Sequence, residues 1–455
     1  MEIADTICAV STPPGEGGIG ILRISGPLAH NILREIFQPR RKRNIFAPRT
    51  LHLGYIVNPE SRDKVDEVFA VFFKAPYTYT REDMAEVYSH GGFSTQQSIL
   101  SLMMKCGARL AEPGEFTKRA FLNGRIDLLQ AESVLDIIQG ETDDELKCAM
   151  EHLEGRLSGR IKLIQEDIKE ALVVVEVLID FPDENIDVDP EGAFSRLRKA
   201  DKEIERLVES YYLGRAIRHG MEVLIIGRAN VGKSSLLNSL LLKERAIVTP
   251  LPGTTRDLIE DIIHIKGIKI RLVDTAGLRT PKDVVEEEGI ERVKRRIPEA
   301  DLILWVLDGA RAYSEEDEDI HREVACRNTI LAINKIDLPQ KLERPVLAAK
   351  SLKWQEISAL DNTGIEDLKN AVHERLVGKR SRRNKILITN LRHREVLHKT
   401  HESLQRAIGA YERSEPLEFT AFELRDALSH IGEITGETCP DEILHTIFDR
   451  FCIGK

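Results

Sequence analysis

Hydrophobic positions along the first part of the chain form short apolar runs that alternate with turn residues. Runs of this length predict β-strands, and an amphipathic stretch at 96–104 predicts a helix between them. The runs cover residues 19–24, 51–57, 68–73 and 85–88. The pattern therefore predicts an α+β domain over residues 1–118.

The spacing of apolar residues changes to helical periodicity over residues 119–216, and the same periodicity occurs over 379–455. Shorter helices are predicted at 421–429 and 441–451. Such long faces are more often core than ligand-binding surface. Residues that share a helical face are Ile161, Ile164, Ile168, Leu172 and Val175 in the first segment, and Leu397, Leu404, Ile408 and Tyr411 in the second.

Residues 217–378 lie between the two helical segments and combine apolar strands with polar loops. Helical periodicity on both sides of an α/β unit favours insertion of residues 217–378 into a helical domain, which 119–216 and 379–455 would form together. Simple tandem order of separate domains is the alternative. With 455 residues, the chain is long enough for two to four domains. The sequence thus predicts a multidomain α/β protein.

A phosphate-binding loop of the form GxxxxGKS occupies residues 227–234, after an apolar strand at 223–226. Its backbone N–H groups and the following helix N-terminus would cradle the β-phosphate. Lys233 would reach the β- and γ-phosphates, and the Ser234 hydroxyl would sit on Mg²⁺. The predicted nucleotide contacts in this loop are Asn230, Val231, Gly232, Lys233, Ser234 and Ser235.

Two further elements predict the metal and γ-phosphate contacts of a mostly parallel, Ras-like G domain. Asp274-Thr275-Ala276-Gly277 follows an apolar strand at 268–273. Asp274 would hold Mg²⁺ through water, and the Gly277 N–H would meet the γ-phosphate. Within 252–257, Thr255 occupies the place of a switch threonine that completes the Mg²⁺ shell.

The last two elements predict selection of guanine. Asn334-Lys335-Ile336-Asp337 follows a strand at 329–333, and Asp337 can accept from both N1–H and the exocyclic amine. Adenine lacks that donor pair, so the carboxylate selects GTP over ATP. Ser358-Ala359-Leu360 fits the backbone contact to guanine O6.

One position departs from the commonest GTPase pattern. Leu278 follows Gly277, where many GTPases place a glutamine that orients water. The transition state of GTP hydrolysis also requires a positive charge near the phosphates. Asn230, together with the carbonyl groups of 249–253, could hold a monovalent cation beside the phosphates. A simple turn residue is the alternative interpretation of Asn230.

Composition and charge narrow the class of protein. No apolar stretch approaches 18 residues, and no basic-then-apolar signal pattern opens the sequence, so neither a membrane span nor secretion is expected. Six scattered cysteines without CxxC spacing predict a reducing cytoplasm. A net charge of −10 argues against a broad nucleic-acid surface. The basic runs 40–43 and 379–383 are either solvated loops or local RNA contacts.

Several motifs together resemble the MnmE (also TrmE) family, GTPases that modify the wobble uridine of tRNA. The resemblance extends from end to end. The shared G domain alone would be weak, because ribosome-assembly GTPases have a similar one. The matching segments are residues 12–26, 112–125, 253–257 and the closing Cys452-Ile453-Gly454-Lys455.

The resemblance implies that the N-terminal domain is a folate-binding fold of the aminomethyltransferase type. Its one-carbon donor would be 5-formyl- or 5,10-methylene-tetrahydrofolate. By motif position, Arg23, Glu86, Arg125 and Lys455 would line the site. A carboxylate can accept from the pterin ring, and cations suit the glutamate carboxylates. Alternatively, Arg23 merely ends an apolar run and Glu86 is a surface strand residue.

The resemblance also implies how GTP is hydrolysed. K⁺ would supply the charge that other GTPases take from an arginine finger, Glu286 would orient water, and Lys233 would act beside them. Cys452 is either a reactive thiol near the donor or a small buried residue that packs the last helix. The K⁺ ligands implied are Asn230, Thr249, Leu251 and Thr254, and Thr249 also belongs to the implied GTP contacts.

The partners implied are a second copy bound through the N-terminal domain, tRNA, and an FAD- and NADH-using protein of the MnmG (GidA) type. Together they would install an aminomethyl-type group at uridine C5. A ribosome-assembly or other translation-associated GTPase is the first alternative, but the segment after 378 lacks the basic character of a KH-like domain. A membrane-coupled GTPase is the second, and the missing apolar spans count against it.

Overall fold

A computed structural model describes residues 5–40, 47–182, 186–242, 260–266, 268–274, 297–298, 300–344, 347, 353–377 and 386–455. At residues 242, 260, 261, 274 and 377 it describes the backbone alone. The chain divides into two units. One comprises 1–139, 149–205 and 395–455, and the other comprises 140–148 and 206–394.

The first unit begins with a largely antiparallel sheet. Within the described residues its strands run in the order β3-β4-β5-β6-β2-β1-β7, and only β1 and β7 pair in parallel. The strands are β1 (Ile7–Val10), β2 (Gly20–Ser25), β3 (Phe37–Pro39), β4 (His52–Val57), β5 (Lys64–Phe73), β6 (Met84–Ser89) and β7 (Arg109–Leu110).

Helices α1 (Ala29–Ile36) and α2 (Phe93–Lys105) supply side chains to the hydrophobic core on one face of this sheet. Alternation along the strands sends Leu22 and Val87 into that core, while Arg23 and Glu86 face the other way. This confirms the predicted α+β character. The expected start of the second strand at Ile19 is wrong, because Ile19 is 66% exposed and pairing begins at Gly20.

Helix α3 (Glu115–Leu122) is tied to the sheet by an ion-pair network around the fully buried Arg119. Its Nη2 lies 2.7 Å from Asp5 Oδ1 and 2.8 Å from Glu115 Oε1, and its Nη1 lies 3.2 Å from Glu82 Oε1. Burial alone would raise the pKa of Glu115, but hydrogen bonds from Arg109, the Glu112 N–H and Arg119 lower it overall. The network thus holds the motif at 112–125 in one place on the sheet.

Helices then dominate the chain, as the periodicity predicts. They are α4 (Leu128–Gln139), α5 (Asp143–Leu153), α6 (Arg156–Asp180) and α7 (Pro190–His219). On α6, Ile161, Ile164 and Ile168 are buried as expected. Leu172 is only half-buried, and Ala171 takes the corresponding place in the core.

The second unit contains a mostly parallel sheet of order β13-β12-β11-β8-β10-β9 among the described residues, with β9 and β10 antiparallel. Every position of β11 and β12 is buried, as expected for strands covered on both faces. The elements are β8 (Met221–Ile226), α8 (Lys233–Leu242), β9 (Glu260–Ile265), β10 (Ile268–Asp274), β11 (Leu302–Asp308), α9 (Glu315–Val324), β12 (Thr329–Asn334), β13 (Trp354–Glu356) and α10 (Ile365–Val377).

The chain then returns to the first unit through α11 (Leu391–Glu412), α12 (Leu417–Thr435) and α13 (Asp441–Phe448). Helix α12 packs against α6, and the rings of Phe194 and Tyr411 stack with centroids 3.7 Å apart. Helix α12 is much longer than the predicted 421–429. It begins after Pro416 and ends at Gly436, whose φ of +90° is a common helix stop.

The flanks 149–205 and 395–455 share one unit, and 206–394 lies in the other. This division agrees with insertion rather than tandem order, which stays a prediction. The finer division into 1–118, 119–216 plus 379–455, and 217–378 stays a prediction. Over the described ranges, no helix has both the length and the apolar character needed to cross a bilayer.

Candidate functional site

Two glycines shape the loop between β8 and α8. Gly227 has a φ of +149°, and a Cβ there would lie 2.4 Å from the carbonyl oxygen of Val306. Gly232 has a φ of +97°, and its Cβ would lie 2.2 Å from Asn334 Nδ2. Both positions therefore exclude any side chain, so the close backbone approach of this loop requires glycine.

The loop exposes the groups expected to contact phosphate. Lys233 Nζ donates to the carbonyl oxygens of Gly227 and Arg228, each at 2.7 Å, so the ammonium lies over the loop. Ser234 and Ser235 are exposed, and Val231 is buried beneath the loop. Asn230 is exposed with a φ of +63°, a conformation that asparagine tolerates better than most residues.

Asn334, at the end of β12, connects the loop to the segment at 358–360. Its Nδ2 donates to the Val231 carbonyl oxygen at 2.9 Å, and its Oδ1 accepts from the Ala359 N–H at 3.0 Å. Lys335 Nζ donates to the Asn230 carbonyl oxygen at 2.8 Å. The structure therefore brings these three predicted segments together at the carboxyl edge of the sheet.

The carboxylate predicted to select guanine is oriented by a neighbouring hydroxyl. Ser358 Oγ donates to Asp337 Oδ1 at 2.6 Å and accepts from the Asp361 N–H at 3.2 Å. Asp337 is exposed, so its second oxygen has room for a ligand. Leu360 is 80% exposed, so any contact by this residue falls to its backbone.

Two residues at this edge of the sheet were not predicted from the sequence. Asp308 ends β11, is 7% exposed, and its Oδ2 lies 2.7 Å from Lys335 Nζ. Arg228 donates to Glu316 at 2.8 Å and to Asp317 at 3.0 Å. Burial would lower the pKa of Arg228, but these carboxylates raise it overall. A carboxylate at the end of an apolar strand was the available signal for Asp308.

Several predicted contacts are not part of the described structure. Asp274 ends β10 and pairs with Ile225 of β8, which brings its backbone to the same edge as the phosphate loop. The predicted residues that lie outside the described ones are Thr249, Leu251, Thr254, Thr255, Thr275, Ala276, Gly277 and Glu286.

A second candidate site lies on the open face of the N-terminal sheet. Arg23 of β2 and Glu86 of β6 are directly opposite, and Arg23 Nε and Nη2 lie 2.9 and 2.8 Å from Glu86 Oε1. Tyr88 donates its hydroxyl to Glu86 Oε2 at 2.7 Å. Burial, aided by this bond, raises the pKa of Tyr88 to about 12, so the phenol remains a donor.

Beside Glu86 opens a cavity of about 550 Å³. That volume lies within the usual range for small-molecule sites. The Arg125 guanidinium lies 4.7 Å from the ring centroid of Tyr79, and Arg23 lies 5.7 Å from the same ring. The Tyr79 hydroxyl shares a 2.9 Å hydrogen bond with Thr117 Oγ1. Two of the four predicted folate residues, Arg23 and Arg125, thus lie against one tyrosine, and a third, Glu86, lines the same cavity as that tyrosine.

The last residues of the chain pack against this region. The Gly454 carbonyl oxygen accepts from Ser11 Oγ at 3.1 Å and from Arg23 Nη1 at 3.4 Å. The Phe116 N–H donates to the Lys455 carbonyl oxygen at 3.2 Å. Cys452 is exposed, so the interpretation of Cys452 as a small buried residue is wrong. Its backbone carbonyl, not its thiol, makes the packing contact, with the Gly114 N–H at 3.4 Å.

Comparisons with known proteins cover the whole chain. The family model for the GTP-binding protein TrmE N-terminus matches residues 6–125, and that for the MnmE helical domain matches 128–452. The protein named tRNA modification GTPase MnmE from Geobacter metallireducens is 46% identical over 460 residues, covering 100% of both chains. That from Geobacter sulfurreducens is 44% identical over 461 residues, again covering 100% of both.

A solved G-domain structure is similar to part of the chain. The FeoB G-domain from Methanococcus jannaschii is 26% identical, covers 34% of this chain and 97% of its own, and has a TM-score of 0.26. At that TM-score the likeness adds nothing to the assignment. The family models and the full-length relatives decide it: the chain belongs to the MnmE family of tRNA modification GTPases.

Proposed function

We propose that the protein is a cytoplasmic, K⁺-dependent GTPase that modifies C5 of the wobble uridine in tRNA. It would act with an FAD- and NADH-dependent partner of the MnmG type and use a tetrahydrofolate one-carbon donor. The observation that carries the proposal is that one chain holds both a guanine-nucleotide site and an aromatic, arginine-lined cavity. A GTPase switch alone would have no use for the second site.

In the proposed nucleotide site, Asp337 accepts from guanine N1–H and the exocyclic amine, with Ser358 fixing the carboxylate. Lys233 and the loop N–H groups then hold the β- and γ-phosphates. Ser234, Thr255 and Asp274 would hold Mg²⁺, which neutralises phosphate charge. The backbone of 275–277 would bind near the γ-phosphate.

Hydrolysis needs oriented water and positive charge, and Leu278 offers neither. We assign water orientation to Glu286. Asn230, with Thr249, Leu251 and Thr254, would hold K⁺, which supplies the charge. The Asn230 side chain is exposed within the phosphate loop, and this exposure supports its assignment as a ligand.

In the proposed folate site, Glu86 accepts from the pterin ring N–H and amino group. One Glu86 oxygen already binds Arg23 and the other binds Tyr88, so the carboxylate is fixed in direction. Arg125 and Lys455 would bind the glutamate carboxylates of the donor. Cys452, exposed beside Gly454, is a candidate contact to the reacting group.

A homodimer formed through the N-terminal domain is supported by an apolar row on the open face of its sheet. Leu53, Phe69, Tyr88 and Ile21 lie opposite one another across β4, β5, β6 and β2. Phe69 is 50% exposed. A second copy of the same surface would cover this row, which lies on the same face as Glu86.

The decisive test is mass analysis of wobble uridine in tRNA from cells that lack the protein. We expect the modified uridine to disappear and to return with the wild-type chain. Complementation with Glu86→Gln should fail although GTP hydrolysis by the purified variant persists. Normally modified uridine in the deletion strain would sink the proposed function in favour of a translation-associated GTPase switch.

A further inference from the structure

The cavity beside Glu86 carries more positive charge than the assigned folate contacts use. Arg49, Arg81 and Arg125 all line it. Arg23 is neutralised by Glu86. Within the described part of the chain, none of the other three guanidinium groups forms an ion pair with a carboxylate. Three unpaired cations around one small-molecule cavity indicate a ligand with several negative charges.

Arg49 and Arg81 are held in place without being neutralised. Arg49 Nη2 donates to the Tyr77 carbonyl oxygen at 2.9 Å, and its guanidinium lies 5.8 Å from the Tyr77 ring centroid. Arg81 Nη1 donates to the Asn123 carbonyl oxygen at 2.9 Å. A guanidinium has five N–H donors, so each side chain keeps several for a ligand.

Both arginines also have an unfavourable backbone conformation. Their φ values are +63° for Arg49 and +60° for Arg81, in the left-handed region that costs free energy for a residue with a side chain. Such conformations persist where the surrounding structure requires them, and they cluster at ligand-binding positions. The backbone geometry therefore agrees with a binding role for these two side chains.

The shape of the cavity favours a folate over a nucleic acid. Tyr77, Tyr79 and Phe73 line it, and Glu86 lies in its wall. Aromatic rings with a fixed carboxylate suit a planar heterocycle with N–H donors, whereas the carboxylate would repel an RNA backbone. A folate monoglutamate brings two carboxylates, and every further γ-linked glutamate adds one more.

We propose that Arg49 and Arg81 bind the carboxylates of a poly-γ-glutamyl tail, so that the protein prefers polyglutamylated tetrahydrofolate to the monoglutamate. The inference rests on the proposed folate function. Arg125 serves the first glutamate, and Arg49 and Arg81 serve the following ones. The tail thus supplies binding energy remote from the one-carbon group.

The test compares two ligands on the full-length protein. Mono- and triglutamyl 5-formyltetrahydrofolate are titrated by calorimetry into wild type, Arg49→Gln, Arg81→Gln and the double variant. Wild type should bind the triglutamate about tenfold more tightly, the equivalent of one charge-assisted hydrogen bond. Each single variant should lose part of that advantage and the double variant nearly all of it, with monoglutamate affinity changed less than about twofold.

Arg62→Gln is the matched control, because Arg62 is exposed and has a left-handed φ, +64°, as Arg49 and Arg81 do, but it does not line the cavity. It should leave the triglutamate advantage intact. Arg49→Lys and Arg81→Lys keep the charge and should retain part of the advantage. The advantage should also shrink in about 0.5 M salt, because exposed charge pairs are screened.

Equal wild-type affinity for the two ligands would overturn the inference. So would a double variant that keeps the full advantage, or single variants that lose both ligands alike. If an RNA oligonucleotide loses affinity in the double variant while the triglutamate does not, the arginines bind RNA and the inference is again wrong. If neither folate binds wild type, the proposed folate function itself fails.

Discussion

The side-chain amide of Asn334 donates to the carbonyl oxygen of Val231, 103 positions earlier in the chain, across 2.9 Å. The side-chain oxygen of Asn334, Oδ1, accepts from the Ala359 N–H at 3.0 Å. Asn334 is only 2% exposed; its bond to Val231 is buried and its bond from Ala359 is partly buried. A single neutral side chain thereby fixes the phosphate loop relative to the segment 358–360, which is proposed to contact the base.

Replacing Asn334 with alanine should therefore weaken nucleotide binding. The change leaves the Val231 carbonyl and the Ala359 N–H without partners, at a cost of about 1–3 kcal/mol for each buried group. GTP affinity should fall by about tenfold to a hundredfold. Titration with a fluorescent guanine nucleotide measures it.

Asn328→Ala is the control for this prediction. Asn328 Nδ2 donates to the Asp301 carbonyl oxygen at 2.9 Å, just before the start of β12 and so at the opposite edge of the sheet. Its loss should lower the melting temperature but leave GTP affinity nearly unchanged. Similar losses of affinity in both variants would mean that the effect of Asn334 is general destabilisation.

The convergence of four nucleotide motifs could be predicted from sequence because each of these four follows its own strand: β8, β10, β12 or β13. In a parallel sheet, the carboxyl ends of the strands share one edge, so motifs placed there converge. Asp308 was not predicted as a site residue, because its partner, Lys335, becomes a neighbour only when β11 lies between β12 and β8. Strand order of that kind is not written in any local pattern.

The residues proposed to bind folate show a second limit of prediction from sequence. Arg23 and Glu86 lie 63 positions apart, and their pairing depends on the register between β2 and β6. Only the family motif pointed to them. Arg49 and Arg81 belong to no motif quoted for the family, and they reach the cavity through loops. The end predicted for α12 at residue 429 is also wrong, since the helix continues up to its C-cap at Gly436.

Asp337→Asn should exchange the preference for GTP for one for xanthosine triphosphate. An asparagine amide can donate to the carbonyl that replaces the exocyclic amine of guanine. The 2.6 Å bond from Ser358 should persist, since the side-chain oxygen still accepts. Competition between the two triphosphates for the protein gives the ratio of affinities.

Asp361→Asn is the matched substitution for this experiment. Asp361 is exposed in the same segment, and it contacts Ser358 through its backbone N–H alone. Its variant should keep the preference for GTP. A wild-type preference in Asp337→Asn would remove Asp337 from base recognition.

Hydrolysis of GTP should depend on K⁺ and on the side chain of Asn230. Losing an electrostatic contact to the transition state typically costs a factor of about 100 or more in rate. The wild-type rate should therefore be much higher in K⁺ than in Na⁺, and Asn230→Ala should remove the difference. Phosphate release in matched KCl and NaCl buffers measures it.

The backbone at Asn230 calls for a second variant. With a φ of +63°, alanine would strain the loop whatever the role of the side chain. Asn230→Gly tolerates that φ and removes only the amide. If the glycine variant also loses its K⁺ dependence, the side chain is a ligand. If it hydrolyses GTP like wild type in K⁺, Asn230 is a turn residue and the cation site lies elsewhere.

Gly454→Ala should abolish tRNA modification while GTP hydrolysis continues. Gly454 has a φ of +93°, and an added Cβ would lie 2.4 Å from the Val10 carbonyl oxygen. The tail would have to leave its place against Ser11 and Arg23. The phosphate loop belongs to the other unit of the chain, 206–394, so GTP hydrolysis should be unaffected. Modified uridine and phosphate release are measured on the same preparation.

Cys452→Ser separates the geometry of the tail from the chemistry of the thiol. The Cys452 carbonyl oxygen, which accepts from the Gly114 N–H, is kept in this variant, and the exposed side chain changes only from sulfur to oxygen. Loss of modification in Gly454→Ala but not in Cys452→Ser would assign the tail a positioning role. Loss in both would make the thiol itself part of the reaction. Normal modification in Gly454→Ala would show that Arg23 holds its place beside Glu86 without the carbonyl of Gly454.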